Sequence, residues 1–180
     1  MRKVLFILGQ LSDDDVEWLS KAGQRQRIPA GTTLITEGKA IDSMYILLDG
    51  RMAVSLKGIG TVATLATGEV MGEMSLIDSR PPSASVSAES DSVVFAISRA
   101  ALNGKLESDI SFAARFYKAI ATFLSDRLRG TVQRLGYGDK GVSLDEDTEL
   151  DGELDLNVLD NVHLAGARFE RMLKKLTGER

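Results

Sequence analysis

The stretch Gly68-Glu-Val-Met-Gly-Glu-Met-Ser-Leu-Ile-Asp-Ser-Arg-Pro-Pro-Ser-Ala-Ser-Val86 governs how the rest of the chain is read. Gly72 has no Cβ, so its backbone can come close to a ligand. Glu73 follows with a carboxylate able to accept from a pair of hydroxyls. Residues 74–77 are long enough for one helical turn, whose first N–H groups lack intrahelical partners and favour an anion. Pro81 and Pro82 end that turn and impose an extended path. Ser83 and Ser85 then offer hydroxyls beside the same place. A small turn facing hydroxyls across a glycine is a cradle for one phosphate.

On both sides of this stretch, from Gln24 to Ile97, short runs of strand formers alternate with glycine-rich turns. The candidate strands are 25–28, 32–36, 44–48, 51–56, 60–65, 83–88 and 92–97. Their spacing suits an all-β barrel or sandwich. Asp49-Gly50 is the strongest hairpin signal among the turns. Before the strands, Ser12 and Asp13-Asp14-Asp15 predict a helix start, with a cap and acids at the positive end of the dipole. Gly23 stops that helix.

Residues 99–136 turn helical. Tyr117, Ala121, Leu124, Leu128, Thr131 and Leu135 recur at heptad spacing, which predicts a seam against a partner helix. Ala113, Phe116, Ile120 and Phe123 form a neighbouring stripe that packs on the barrel. Residues 136–141 read as a linker. Residues 139–160 hold nine acidic side chains and one basic one. Asp147, Glu149, Asp151 and Gly152 imitate the start of a calcium loop, but Val158 stands where its bidentate carboxylate is needed, so a solvated acidic segment is expected. Leu159, Val162, Ala165, Phe169, Met172 and Leu176 then mark a last amphipathic helix, with Arg171, Lys174 and Lys175 near its end.

Composition removes several classes of function. The 180 residues include no cysteine and one histidine, His163, so thiolate metal sites and histidine triads lack their parts. No metal is expected, and no enzyme. The apolar run at residues 4–8 is too short for a secretory signal, and nothing approaches a membrane span, so a cytoplasmic protein is the expectation. Net charge is −4. The acidic second half argues against a nucleic-acid face.

Met71-Gly72-Glu73-Met74-Ser75-Leu76 and Pro81-Pro82-Ser83-Ala84-Ser85-Val86 together resemble the phosphate-binding cassette of the cyclic-nucleotide-binding domain family. Gly38, Tyr45-Ile46-Leu47 and Gly50 fall where that family carries its Glu-Gly and Tyr-Ile-Leu-x-Gly features. The resemblance spans roughly residues 5 to 135. It implies a mainly β fold with flanking helices, a β-roll of jelly-roll type followed by a long dimerisation helix and a C-terminal helix. The implied divisions are 1–98, 99–136 and 137–180.

By the same resemblance, Gly72, Glu73, Met74, Ser83, Ala84 and Ser85 would cradle cAMP or cGMP. Glu73 would hold the ribose 2′-hydroxyl, while the Met74 amide and the Ser83–Ala84 region would face the cyclic phosphate. Thr131 matches a threonine that reaches the purine in catabolite-activator-type transcription factors. The family's phosphate-pairing arginine, however, falls on Pro82, and Arg80 lies two residues earlier. A hydrogen bond to a charged group is worth about 1.5–3 kcal/mol. Losing the arginine would therefore weaken binding by roughly one to several powers of ten.

The reading that follows is a non-enzymatic sensor for a small anionic ligand. It forms a homodimer through Tyr117, Leu124, Leu128 and Leu135, with the C-terminal helix open to a protein partner. A second reading keeps the fold as a dimeric interaction module without nucleotide. A third, a transcription regulator, lacks a helix-turn-helix of its own, so no direct DNA binding is expected.

Overall fold

The computed structural model describes residues 4–137, 164–171 and 174. The chain begins with α1 (Val4–Gln10) and α2 (Asp13–Ala22). Strands β1 (Gly23–Ile28), β2 (Thr33–Ile35), β3 (Ser43–Asp49), β4 (Met52–Leu56), β5 (Gly60–Leu65) and β6 (Val70–Met71) follow. Helix α3 (Glu73–Asp78) interrupts the strands before β7 (Ser85–Ala88) and β8 (Ser92–Ser98). The described part then becomes helical, with α4 (Arg99–Ser108) and α5 (Ile110–Tyr137). Residues 164–171 form a further helical stretch.

Two four-stranded antiparallel sheets make the roll, in the orders β1-β8-β3-β6 and β2-β7-β4-β5. The alternation of side chains along β3 explains the layering. Met44, Ile46 and Leu48 join the core under the helices, while Tyr45 and Leu47 join the core between the sheets. On β8, Phe95 and Ile97 take the first side, and Val94 and Ala96 the second. The first sheet is thus a middle layer, apolar on both faces, between helices and the second sheet.

The expected strands are present, and so is the α2 start. Ser12 Oγ accepts from the Asp15 N–H, and Asp15 Oδ2 accepts from the Ser12 N–H, a reciprocal capping box. Asp49-Gly50 does not make a hairpin. β3 and β4 lie in different sheets, and Gly50, at φ +93°, turns the chain across Asp91 and Ser92. A Cβ there would stand 2.8 Å from the Asp91 carbonyl oxygen, so the glycine serves a close crossing. The hairpin lies one turn later, between β4 and β5.

The helical region 99–136 is two helices, broken at Asp109. Its N–H bonds the Lys105 carbonyl to close α4, and its Oδ1 accepts from the Phe112 N–H to open α5. Phe116, Ile120 and Phe123 are buried along one face of α5, as their stripe predicts, joined by Phe112 and Ala119, while Ala113 of the same stripe is half-buried. Tyr117 and Leu128 are exposed, Leu124 is half-buried, and the Leu135 side chain lies outside the described residues. Arg115 fixes the helix to α2 by a fork onto Asp15, at 2.6 and 2.9 Å. Burial of Asp15 alone would raise its carboxyl, but the Arg115 and Ser12 hydrogen bonds outweigh it and hold the group below the ordinary value.

Helix 164–171 packs on the same helical layer, with Ala165 and Phe169 fully buried. Arg168 donates to Asp13 Oδ1 at 2.7 Å and to the Leu8 carbonyl at 3.0 Å. The remaining tail positions named from the sequence, including His163, Leu159, Val162, Met172, Lys175, Leu176 and the acidic run, lie outside the described residues.

Candidate functional site

The cassette crosses from one sheet to the other. β6 pairs with β3 through Tyr45↔Met71 and Ile46↔Val70, which anchors the entry to the first sheet. Gly72 then turns left-handed at φ +81°. A Cβ at that position would meet Ile41 Cδ1 at 2.7 Å and the Ser43 carbonyl oxygen at 3.1 Å, so glycine is required twice over. Helix α3 stops at Ser79, itself left-handed at φ +57°, two residues before the prolines expected to end it. The Pro82 carbonyl accepts from the Gly38 N–H at 2.9 Å, and Ser85 enters β7 of the second sheet.

Under this crossing lies a cavity of about 290 Å³. Ile35, Val54, Leu65 and Val86 give it an apolar wall from the second sheet. The cassette supplies Gly72, Glu73, Met74, Ser83 and Ala84, and α5 supplies Arg127 and Thr131. Six of the residues read from the sequence are therefore brought together around one space: Gly72, Glu73, Met74, Ser83, Ala84 and Thr131.

Two are not. Arg80 turns outward, its side chain 84% exposed and its Nε 3.9 Å from Asp78 Oδ2. Its own N–H bonds Asp78 Oδ1, which holds the loop in that direction. It does not line the cavity, because the left-handed Ser79 reverses the chain before it. The Ser85 hydroxyl is also occupied elsewhere, accepting from the Glu37 N–H at 3.0 Å.

The cavity's positive charge comes instead from Arg127. Its Nη1 donates to Glu73 Oε1 at 2.5 Å and its Nη2 to the Val70 carbonyl at 3.2 Å. The guanidinium stands 4.7 Å from the centre of the Phe123 ring, within cation–π reach. Glu73 is 2% exposed, whereas the Arg127 side chain is 31% exposed, so only the carboxylate end of the pair is out of water. Sequence reading missed Arg127, although a signal existed. It lies one helical turn before Thr131, and residues four apart share a face. Thr131 Oγ1 itself donates back to the Arg127 carbonyl at 2.9 Å. Among the described residues, no group of histidine and acidic side chains is placed to hold a metal ion. No described helix is long and apolar enough to cross a membrane.

Comparison with known proteins agrees with the fold. Residues 25–109 match the family model of the cyclic nucleotide-binding domain. A cAMP-dependent protein kinase regulatory subunit from Yarrowia lipolytica is 38% identical over 84 residues, 46% of this chain and 22% of that protein. The chain spans about a fifth of the length of the curated relatives it matches first. The crystal structure of a cyclic nucleotide-binding domain from Methylobacillus flagellatus superposes with a TM-score of 0.68 at 28% identity, covering 79% of this chain and 85% of that one. The Thermus thermophilus catabolite activator protein shares the fold at 22% identity and a TM-score of 0.58, over 94% of this chain and 85% of its own.

Proposed function

We propose, from the premise that residues 25–109 are a domain of the cyclic nucleotide-binding family, that this protein is a non-enzymatic sensor of a cyclic nucleotide of the cAMP or cGMP type. One observation carries the proposal: Arg127, on the long helix, holds the cavity's buried carboxylate, Glu73. A ligand hydroxyl that reaches Glu73 shares its carboxylate with α5. Binding is then felt along the helix without any rearrangement of the stiff roll. The apolar wall suits a base, and the Ser83–Ala84 edge suits a phosphate.

The exposed face of α5 supports a homodimer as the form that transmits the event. Tyr117 is 50%, Leu128 63% and Val132 58% exposed on a helix whose opposite face is fully buried. Thr131 lies on that outer side while also lining the cavity, so the seam and the site share a boundary.

A specific feature favours a second reading, a dimeric interaction module without nucleotide. Pro82 replaces the cassette arginine, and Arg80 points to solvent instead of replacing it. Calorimetry separates the two. The sensor reading expects saturable heat from cAMP or cGMP and its loss in Glu73→Ala. No heat at millimolar ligand rejects it and leaves the interaction module. In either case Leu128→Arg combined with Val132→Arg is expected to give monomers in sedimentation equilibrium; an unchanged dimer would remove α5 as the seam.

A further inference from the structure

Ser83 and Ala84 edge the cavity beside Pro82, and the charged residues that line it are Glu73 and Arg127. The Arg127 guanidinium is committed to Glu73 and to the Val70 carbonyl, and Arg80 is turned to solvent beside Asp78. The loop after β2 lies against the same edge. Its residues 36–39 form a turn, closed by the Lys39 N–H on the Thr36 carbonyl at 3.1 Å, with Gly38 at φ +74° as a type II turn requires. Two hydrogen bonds clamp this turn to the cassette. The Gly38 N–H donates to the Pro82 carbonyl at 2.9 Å, and the Glu37 N–H to Ser85 Oγ at 3.0 Å. Ile35, just before the turn, lines the cavity. Lys39 therefore adjoins the residue that touches Pro82. It is exposed, and its ammonium enters no salt bridge among the described residues.

We infer that Lys39 supplies the positive charge that Pro82 cannot: its ammonium folds over the rim onto an anionic group held at Ser83 and Ala84. The assignment rests on the sensor function proposed above and names the residue that reads the ligand's phosphate. Pro82 offers neither an N–H nor a polar side chain, and its carbonyl is engaged by Gly38. A lysine carries its charge as a point on a flexible stem, so it needs no fixed fork geometry to meet a phosphate oxygen. The root of that stem is fixed, because backbone bonds tie the turn to the cassette, while the stem itself is free to swing. Arg80 lacks this freedom. The left-handed Ser79 and the Arg80 N–H on Asp78 Oδ1 direct it away from the cavity. Lys57 also lies near the turn, its N–H on Glu37 Oε2 at 2.8 Å. It continues β4 out of register with Val54, the strand residue that lines the cavity.

The test is a calorimetric titration of cAMP into the full chain and its variants. Lys39 is exposed, so its substitutions are expected to fold as the wild type does. Lys39→Met is expected to bind cAMP about tenfold more weakly than the wild type at about 0.1 M salt, the effect of losing one hydrogen bond to a charged group. That gap is expected to close as salt rises to about 1 M, where the screening length falls to about 3 Å. Lys39→Arg keeps the charge and is expected to stay within about threefold of the wild type. Arg80→Met and Lys57→Met are the controls and are expected to match the wild type. Equal affinity of Lys39→Met and wild type overturns the assignment. So does a gap indifferent to salt, or an equal loss in either control. If the wild type gives no heat at millimolar cAMP, the sensor reading itself fails and the role of Lys39 falls with it. Saturable wild-type binding with an unaffected Lys39→Met removes Lys39 alone.

Discussion

Replacing Phe169 by alanine asks whether the helix at 164–171 is part of the core or a clasp laid on it. Phe169 is 1% exposed in the layer that also holds Phe112, Phe116 and Phe123. If the helix stays docked, the substitution leaves a cavity, and loss of a buried phenylalanine costs about 3–5 kcal/mol. The alternative is undocking, which limits the loss to what the docking itself contributes. Burying the ring is worth about 1.5–3 kcal/mol. The Arg168–Asp13 pair adds little, because the Asp13 side chain is 61% exposed and water screens it. Ala165 contributes one small side chain. The ring is therefore the largest single anchor, and removing it favours undocking over a strained, cavity-bearing dock. Native-state hydrogen exchange on the full chain is the assay. Amides of 164–171 are expected to lose protection in Phe169→Ala, while those of β3 and β8 keep theirs. Parallel loss of protection in β3 and β8, with a global destabilisation near the upper figure, would refute the clasp.

Acid unfolding should report the α2–α5 clamp. Asp15 has its folded pKa below the ordinary value, so its contribution is complete above about pH 4 and is lost as pH falls through the folded pKa. Asp15→Asn should therefore be less stable at neutral pH, and the gap from wild type should close below about pH 4; a pH-independent gap, measured by urea unfolding, would contradict the linkage. Gly72→Ala should destabilise by about 2 kcal/mol or more through left-handed strain and its contact with Ile41. A thermal midpoint within a degree of wild type would show that the turn can flatten.

How far the sequence could be read follows from the range of the forces involved. Strands such as Met44-Tyr45-Ile46-Leu47-Leu48 were legible as short apolar runs bounded by turn residues, the pattern of a strand buried on both faces. The α2 cap was legible because Ser12 and Asp15 are three residues apart. Helix α1 was not, since Val4, Ile7 and Leu8 are buried in a run too short to display a period. β6 has two residues and carries no pattern. Asp49-Gly50 carried the local chemistry of a hairpin but serves a crossing between sheets, which only its contact with Asp91 and Ser92 reveals. The break at Asp109 had a local signal, an aspartate able to cap, hidden inside a long helical run.

The cassette, its glycine and its acid were determined by the amino-acid order alone, because a turn that tolerates no side chain and a short helix are local events. Which cation faces Glu73 was decided only in three dimensions. Arg80 is seven residues from Glu73 and points away; Arg127 is fifty-four residues from it and touches it. That choice depends on where α5 lies, and α5 is set by the Arg115 fork onto Asp15 and by its burial against the helical layer. Charges meet where packing puts the backbone, and no spacing rule within the chain encodes a contact of that span.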